Sequence, residues 1–121
     1  MITPSRFLGD PLGYAGNQSA HGVMGMFAAM GCMLAGVSMY WAAPLAALIY
    51  LVAVEWLPGQ IKIDWIDSLD DMAHAWLGAA LIVSAGLSFP GGEWSGDWTA
   101  PLVFTGWTAF MGWQMWRRWS L

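Results

Sequence analysis

Apolar positions gather into four long runs, separated by short polar or turn-forming stretches. Residues 1–19 carry Gly9-Asp-Pro-Leu-Gly13 and Gly16-Asn-Gln-Ser19, a turn-rich composition that predicts an ordered loop or interfacial arm. Asn17 or Ser19 is placed to cap the helix that follows. Residues 20–40 then run without a charge unless His21 is protonated. A helix of that length spans about 31 Å, close to the hydrocarbon thickness of a bilayer. Trp41-Ala-Ala-Pro44 predicts a tight turn, and residues 44–57 a second, shorter span ended by Pro58-Gly59. Residues 60–66 alternate apolar and polar, a pattern suited to the membrane surface. The third run, 68–89, opens on carboxylates, which favour a helix N-terminus. An acidic loop at 90–99 leads to the fourth run, 100–119, which closes on Arg117-Arg118.

Composition fixes the class of these helices. The chain is 58% hydrophobic and 10% charged, against about 25% charged in an ordinary soluble domain. Four basic and eight acidic side chains are too few to cover the surface of a soluble protein of 121 residues. The expectation is therefore an all-α polytopic membrane protein, a single domain over 1–121, with four transmembrane helices arranged as two hairpins. A net charge of −4 with only four basic residues excludes nucleic acid as a partner. The single cysteine, Cys32, excludes an intrachain disulfide and reads as a packing residue. No cleavable signal peptide is apparent in the first twenty residues.

Four spans place the N-terminus, the 58–67 connection and the C-terminus on one side. That side holds Arg6, Lys62, Arg117 and Arg118, so the positive-inside rule puts both termini in the cytoplasm of a bacterial-type inner membrane. Trp41, Trp94 and Trp98 then mark the outer interface, and Trp56, Trp65, Trp113, Trp116 and Trp119 the inner one. Within the first run, Ala28, Cys32 and Gly36 follow the small-xxx-small spacing of close helix contacts. Met26, Met30 and Met33 share a face and read as adaptable packing rather than copper ligation.

The two histidines align two segments, Asn17-Gln-Ser-Ala-His21-x-x-x-Gly25 and Asp70-Asp-Met-Ala-His74-x-x-x-Gly78. Each precedes an apolar run and then a second one, which suggests a parallel duplication about an axis along the membrane normal. His21 and His74 then sit at similar depth near the cytoplasmic face.

On this topology one end of the bundle collects Asn17, His21, Glu55, Asp70, Asp71 and His74, with Gln114 placed to join them. Ionisable groups inside spans are expensive and face the bundle interior. Three readings stay open. In the first, the polar residues cap helix ends and meet headgroups; Asp67, Asp70 and Asp71 suit that role. In the second, His21, Glu55, Asp70, Asp71 and His74 ligate a divalent metal, as Glu and His do in carboxylate-bridged bundles, and the metal activates water against a lipid or envelope headgroup. In the third, His21 and His74 ligate a tetrapyrrole, a haem or a chlorophyll-type pigment, with Gly22, Gly25 and Gly78 clearing space.

The pairing of His21-x-x-x-Gly25 with Asp67-x-x-Asp70-x-x-x-His74-x-x-x-Gly78-Ala79 resembles the VanZ-like family of small membrane proteins. Asn17 and His21 match that family's early motif, and Asp67, Asp71 and Gly78 its later one. Asn17 stands where an acid is usual, and His74 is additional. The resemblance implies four or five spans and a role in the cell envelope or in antibiotic resistance. Size and short loops point to a structural or accessory subunit of a membrane assembly, partnered by lipid and by copies of itself or a larger complex. A metal-dependent membrane enzyme and a cofactor-binding subunit are the alternatives.

Overall fold

The computed structural model describes residue 7 and residues 9–120, apart from the side chains of Gln60 and Ile63. Arg6 and the start of the N-terminal arm lie outside the described residues. Four long helices dominate, with no strand among the described residues. They are α1 (Pro11–Leu34), α2 (Met39–Tyr50), α4 (Trp65–Ser88) and α5 (Thr99–Trp119). A π-helical turn over Leu51–Trp56 extends α2, and α3 (Gln60–Ile63) is a single short turn.

The first helix begins well before the expected position. Asp10 caps it, its Oδ1 accepting from Gly13 N at 2.8 Å, and Pro11 occupies the first helical position, where its missing N–H costs nothing. Gly13 and Gly16 favour turns locally, but tertiary packing decides most helices. Tyr14, Gln18, Gly22, Gly25, Ala29 and Cys32 form one buried stripe along α1, and its first members lie in what composition reads as a loop. The first turn between helices is also displaced. Val37 N donates to Cys32 O at 2.9 Å and Gly36 N to Met33 O at 3.0 Å, the paired bonds of a Schellman ending. Gly36 takes the left-handed φ of +91° that this ending requires. Ser38 then starts α2, so Trp41-Ala-Ala-Pro44 lies within a helix and not in a turn. Gly36 is thus a helix stop and not part of a helix-contact stripe.

Side-chain pairs set the helix directions. Tyr14 meets Asp70 and His74 near the starts of α1 and α4, while Ala29 and Ala79 share an apolar cluster further along both, so these two helices run the same way. His21 meets Tyr50, and Asp70 meets Gln114, so α2 and α5 run the opposite way. The pivot is the crossing of α1 with α4. A Cβ on Gly25 would lie 1.8 Å from Ala75 O, and one on Gly78 would lie 2.1 Å from Gly22 O. Backbone touches backbone there, and only glycine permits it.

The connection to α5 is tightly bonded. Ser95 Oγ donates to Leu87 O at 2.8 Å and to Ser88 O at 3.1 Å. Ser88 Oγ accepts from Ala100 N at 3.0 Å, and Asp97 Oδ1 accepts from Thr99 N at 2.8 Å. The side chain and then the backbone N–H of Thr99 hold the Asp97 carboxyl below its ordinary range. One stretch, Met39–Trp56, is long and apolar enough to cross a membrane by length and composition among the described residues.

Two outcomes follow. Gly78→Ala should force α1 and α4 apart and lower unfolding stability by about 3 kcal/mol. Gly112→Ala meets nothing within 4 Å and should be neutral or stabilising, by up to about 1 kcal/mol; denaturant unfolding of both variants checks the contrast, and equal effects would remove the crossing as the cause. For Asp97, the folded carboxyl titrates below the unfolded one. Its contribution is present above the unfolded value, about 3.9, and is lost as pH falls through the folded value. Asp97→Asn should therefore lower the neutral plateau of unfolding midpoint against pH and flatten its acid limb.

Candidate functional site

Where α1 and α4 begin and α2 and α5 end, polar side chains are buried to a degree unusual for charged groups. His74 is 0%, Gln18 1%, Ser68 2%, Glu55 and Arg118 3% and Asp71 5% exposed. Groups buried this deeply need partners, and they find them in two networks either side of the glycine crossing.

The first network is centred on His74. The Trp107 indole N–H donates to His74 Nδ1 at 2.8 Å, and Tyr14 Oη lies 3.0 Å from Nε2. An indole nitrogen only donates, so Nδ1 is an acceptor and the proton of neutral His74 sits on Nε2. Nε2–H therefore donates to Tyr14 Oη, and the Tyr14 hydroxyl donates to Asp70 Oδ2 at 2.9 Å. Gln114 Nε2 donates to Asp70 Oδ1 at 3.2 Å. Arg118 Nη1 donates in turn to Gln114 Oε1 at 3.1 Å and lays its guanidinium 3.4 Å from the Tyr14 ring centroid. Phe110 stacks on the His74 ring, with centroids 5.1 Å apart. Both imidazole nitrogens are engaged, so His74 acts as a packed crosspiece between α1, α4 and α5.

The second network is centred on His21. Gln18 Nε2 donates to Asp71 Oδ1 at 2.7 Å, and His21 Nε2 lies 3.4 Å from Asp71 Oδ2. Tyr50 Oη is 2.5 Å from His21 Nδ1 and donates to Glu55 Oε1 at 3.0 Å. Ser68 Oγ donates to Glu55 Oε2 at 2.5 Å. The π turn explains how Tyr50 and Glu55 meet. Five residues along an ordinary α-helix turn the chain about 140° away from the starting face, whereas the wider π turn closes its bonds five residues on. Gln18 Oε1 is, among the described residues, the buried side-chain polar atom left without a hydrogen-bond partner. Unlike the first network, this one opens to a polar pocket of about 230 Å³, lined by Asn17, Asp64, Asp67 and Ser68 as well as His21, Glu55 and Asp71.

The five residues read from the sequence as metal ligands are thus divided. His21, Glu55 and Asp71 lie in one network, Asp70 and His74 in the other. Among the described residues no group of three or more His, Cys, Asp and Glu side chains is arranged to hold a metal ion. The two histidines read as tetrapyrrole ligands lie on opposite sides of a crossing where the helix backbones touch. Gln114 does join the polar end, through Asp70. Tyr14, Gln18, Tyr50, Ser68 and Trp107 hold the networks together and escape a reading based on charged residues alone. The spacing of 14, 18, 22, 25, 29 and 32 is a single helical stripe, and extending α1 back to Pro11 would have brought the first two into view.

Trp107→Phe keeps an aromatic wall but removes the donor to Nδ1. The loss should lower stability by about 1–3 kcal/mol and release His74 from one tautomer to a mixture. Nitrogen NMR of histidine-labelled protein checks this: a wild-type His74 that is not in the Nε2–H form would overturn the hydrogen-bond assignment. Set against protein-family models, curated proteins and solved structures, the chain matches none, and its functional reading rests on the geometry above.

Proposed function

We propose that the chain is a small integral membrane protein that serves as a structural or accessory subunit of a membrane assembly. The observation that carries this reading is an inverted distribution of polarity. Among the described residues, nine polar or charged ones are buried, whereas the buried hydrophobic ones are Ala, Cys and Tyr. The large apolar side chains lie outside: Leu34 is 88%, Trp41 69%, Phe27 68% and Leu102 67% exposed. Water would penalise such a surface, and a bilayer would favour it while penalising any polar group left unpaired.

Low average hydropathy in α1, α4 and α5 is compatible with this reading. An average counts His74, Asp71, Gln18 and Gln114 as if they faced lipid, yet these residues turn inward, where Gln18 bonds to Asp71, Gln114 to Asp70, and His74 to Trp107 and Tyr14. Each of the 24-residue helices α1 and α4 is about 36 Å long, enough for a bilayer core with some tilt.

The parallel duplication belongs to the same proposal. A shift of 53 positions carries Gly22 to Ala75 and Gly25 to Gly78, so the contacts Gly25–Ala75 and Gly22–Gly78 are images of each other. The VanZ-like resemblance draws support from the meeting of His21 with Asp71, two of the residues on which it rests. We place both termini in the cytoplasm on the distribution of Arg and Lys.

The protein should stay with the bilayer through an alkaline carbonate wash and come out only in detergent. Recovery as a monodisperse species in detergent-free buffer would end the membrane reading. Native mass measurement in mild detergent tests the subunit reading, for which a stable oligomer or partner is expected and a clean monomer is the contrary result.

A further inference from the structure

The two histidine networks differ in one respect that bears on function. His74 has a fixed tautomer, because Trp107 can only donate to it. His21 is bonded differently. Its Nδ1 faces the Tyr50 hydroxyl and its Nε2 faces the Asp71 carboxyl, and each of these partners either gives or takes a proton. Tyr50 in turn touches His21 and Glu55 together. We propose that Asp71, His21, Tyr50 and Glu55 form a proton relay, in which one proton is exchanged between the carboxyl group on α4 and the carboxyl group at the end of α2.

Two arrangements satisfy every hydrogen bond along the chain. In the first, Glu55 is ionised and accepts from Tyr50 and Ser68. Tyr50 Oη accepts from His21 Nδ1–H, and the remaining proton lies between His21 Nε2 and Asp71, held on Asp71. In the second, Glu55 carries a proton and donates it to Tyr50 Oη. Tyr50 donates to His21 Nδ1, and His21 Nε2–H donates to ionised Asp71. Passage from first to second breaks Asp71 O–H, His21 Nδ1–H and Tyr50 O–H, and forms His21 Nε2–H, a new Tyr50 O–H and Glu55 O–H. Both arrangements hold the same number of protons and one negative charge, which moves from Glu55 to Asp71. No other reactant is required.

The surroundings suit exchange rather than a sealed bond. Glu55 and Asp71 are 3% and 5% exposed, yet both line the polar pocket. From α1 the groups facing the relay are Asn17 and Gln18; from α4 and its N-cap they are Asp64, Asp67 and Ser68. Asp70, His74, Tyr14 and Arg118 occupy the other network. The π turn is the second indication. Such turns are uncommon and gather at functional sites, and this one is what lets Glu55 reach the hydroxyl of Tyr50.

Nitrogen NMR of the full chain, histidine-labelled and in detergent micelles, tests the relay. Wild-type His21 should report exchange between Nδ1–H and Nε2–H forms. Glu55→Gln mimics protonated Glu55 and should shift His21 predominantly to Nε2–H. Asp71→Asn mimics protonated Asp71 and should shift it to Nδ1–H. Adding Tyr50→Phe should abolish the response to Glu55→Gln. Opposite shifts that depend on the Tyr50 hydroxyl support the relay. The same His21 form in wild type and both variants, or a response to Glu55→Gln that survives Tyr50→Phe, overturns it. His74, in its Nε2–H form, reports that each variant is folded. Should a variant lose that signal, wild type decides alone: one fixed His21 form across the pH range overturns the relay, and exchange supports it.

Discussion

The contact between the backbones of α1 and α4 at Gly22, Gly25, Ala75 and Gly78 is the constraint on which the other interactions depend. Side chains of ordinary length reach across only because the helix axes come so close. At a wider spacing, Gln18 would not bond to Asp71, nor Tyr14 to Asp70 and His74. The polar networks are thus a consequence of missing side chains one turn further on. Glycine weakens an isolated helix by about 1 kcal/mol relative to alanine. Here that local loss is offset by the hydrogen bonds that the close approach permits.

The bundle differs along its length. At one end it is cross-linked through two histidines, two tyrosines, three carboxylates, two amides and an arginine. Towards the other end the helices meet through Ala29, Ala43, Ala46 and Ala79. Alanines bury little area and specify little, so directional hydrogen bonds carry the register of the bundle. In a medium without water these bonds have few competitors, which makes an interior of this kind workable.

How much could be read in advance depended on which signal each feature used. The four-helix, all-α architecture was open to inspection, because long apolar runs and charge scarcity are statistical properties of many residues. The polar end was visible too, since His21, Glu55, Asp70, Asp71 and His74 stand out against so apolar a chain. The partners were not. Tyr14 and Gln18 lie among glycines that mimic a loop, and their role emerges only once Asp10 and Pro11 are seen to start a helix. Tyr50 and Glu55 fall on different faces of any ordinary helix drawn through them. Trp107 is hidden by abundance. Nine of the ten tryptophans are exposed, and nothing in the composition of α5 singles out the one that turns inward to His74.

The π turn at Leu51–Trp56 makes the geometry around His21 depend on how the helix is wound as well as on chemistry. Rewinding the same residues as an ordinary α-helix would change nothing in the sequence. The span would remain apolar and helical, with every ionisable group still present. Glu55 would nevertheless stand about 140° from Tyr50 round the helix, away from the Tyr50 hydroxyl. A comparison that scores side chains alone would record no loss at this site, because what holds it together is the count of residues in one turn.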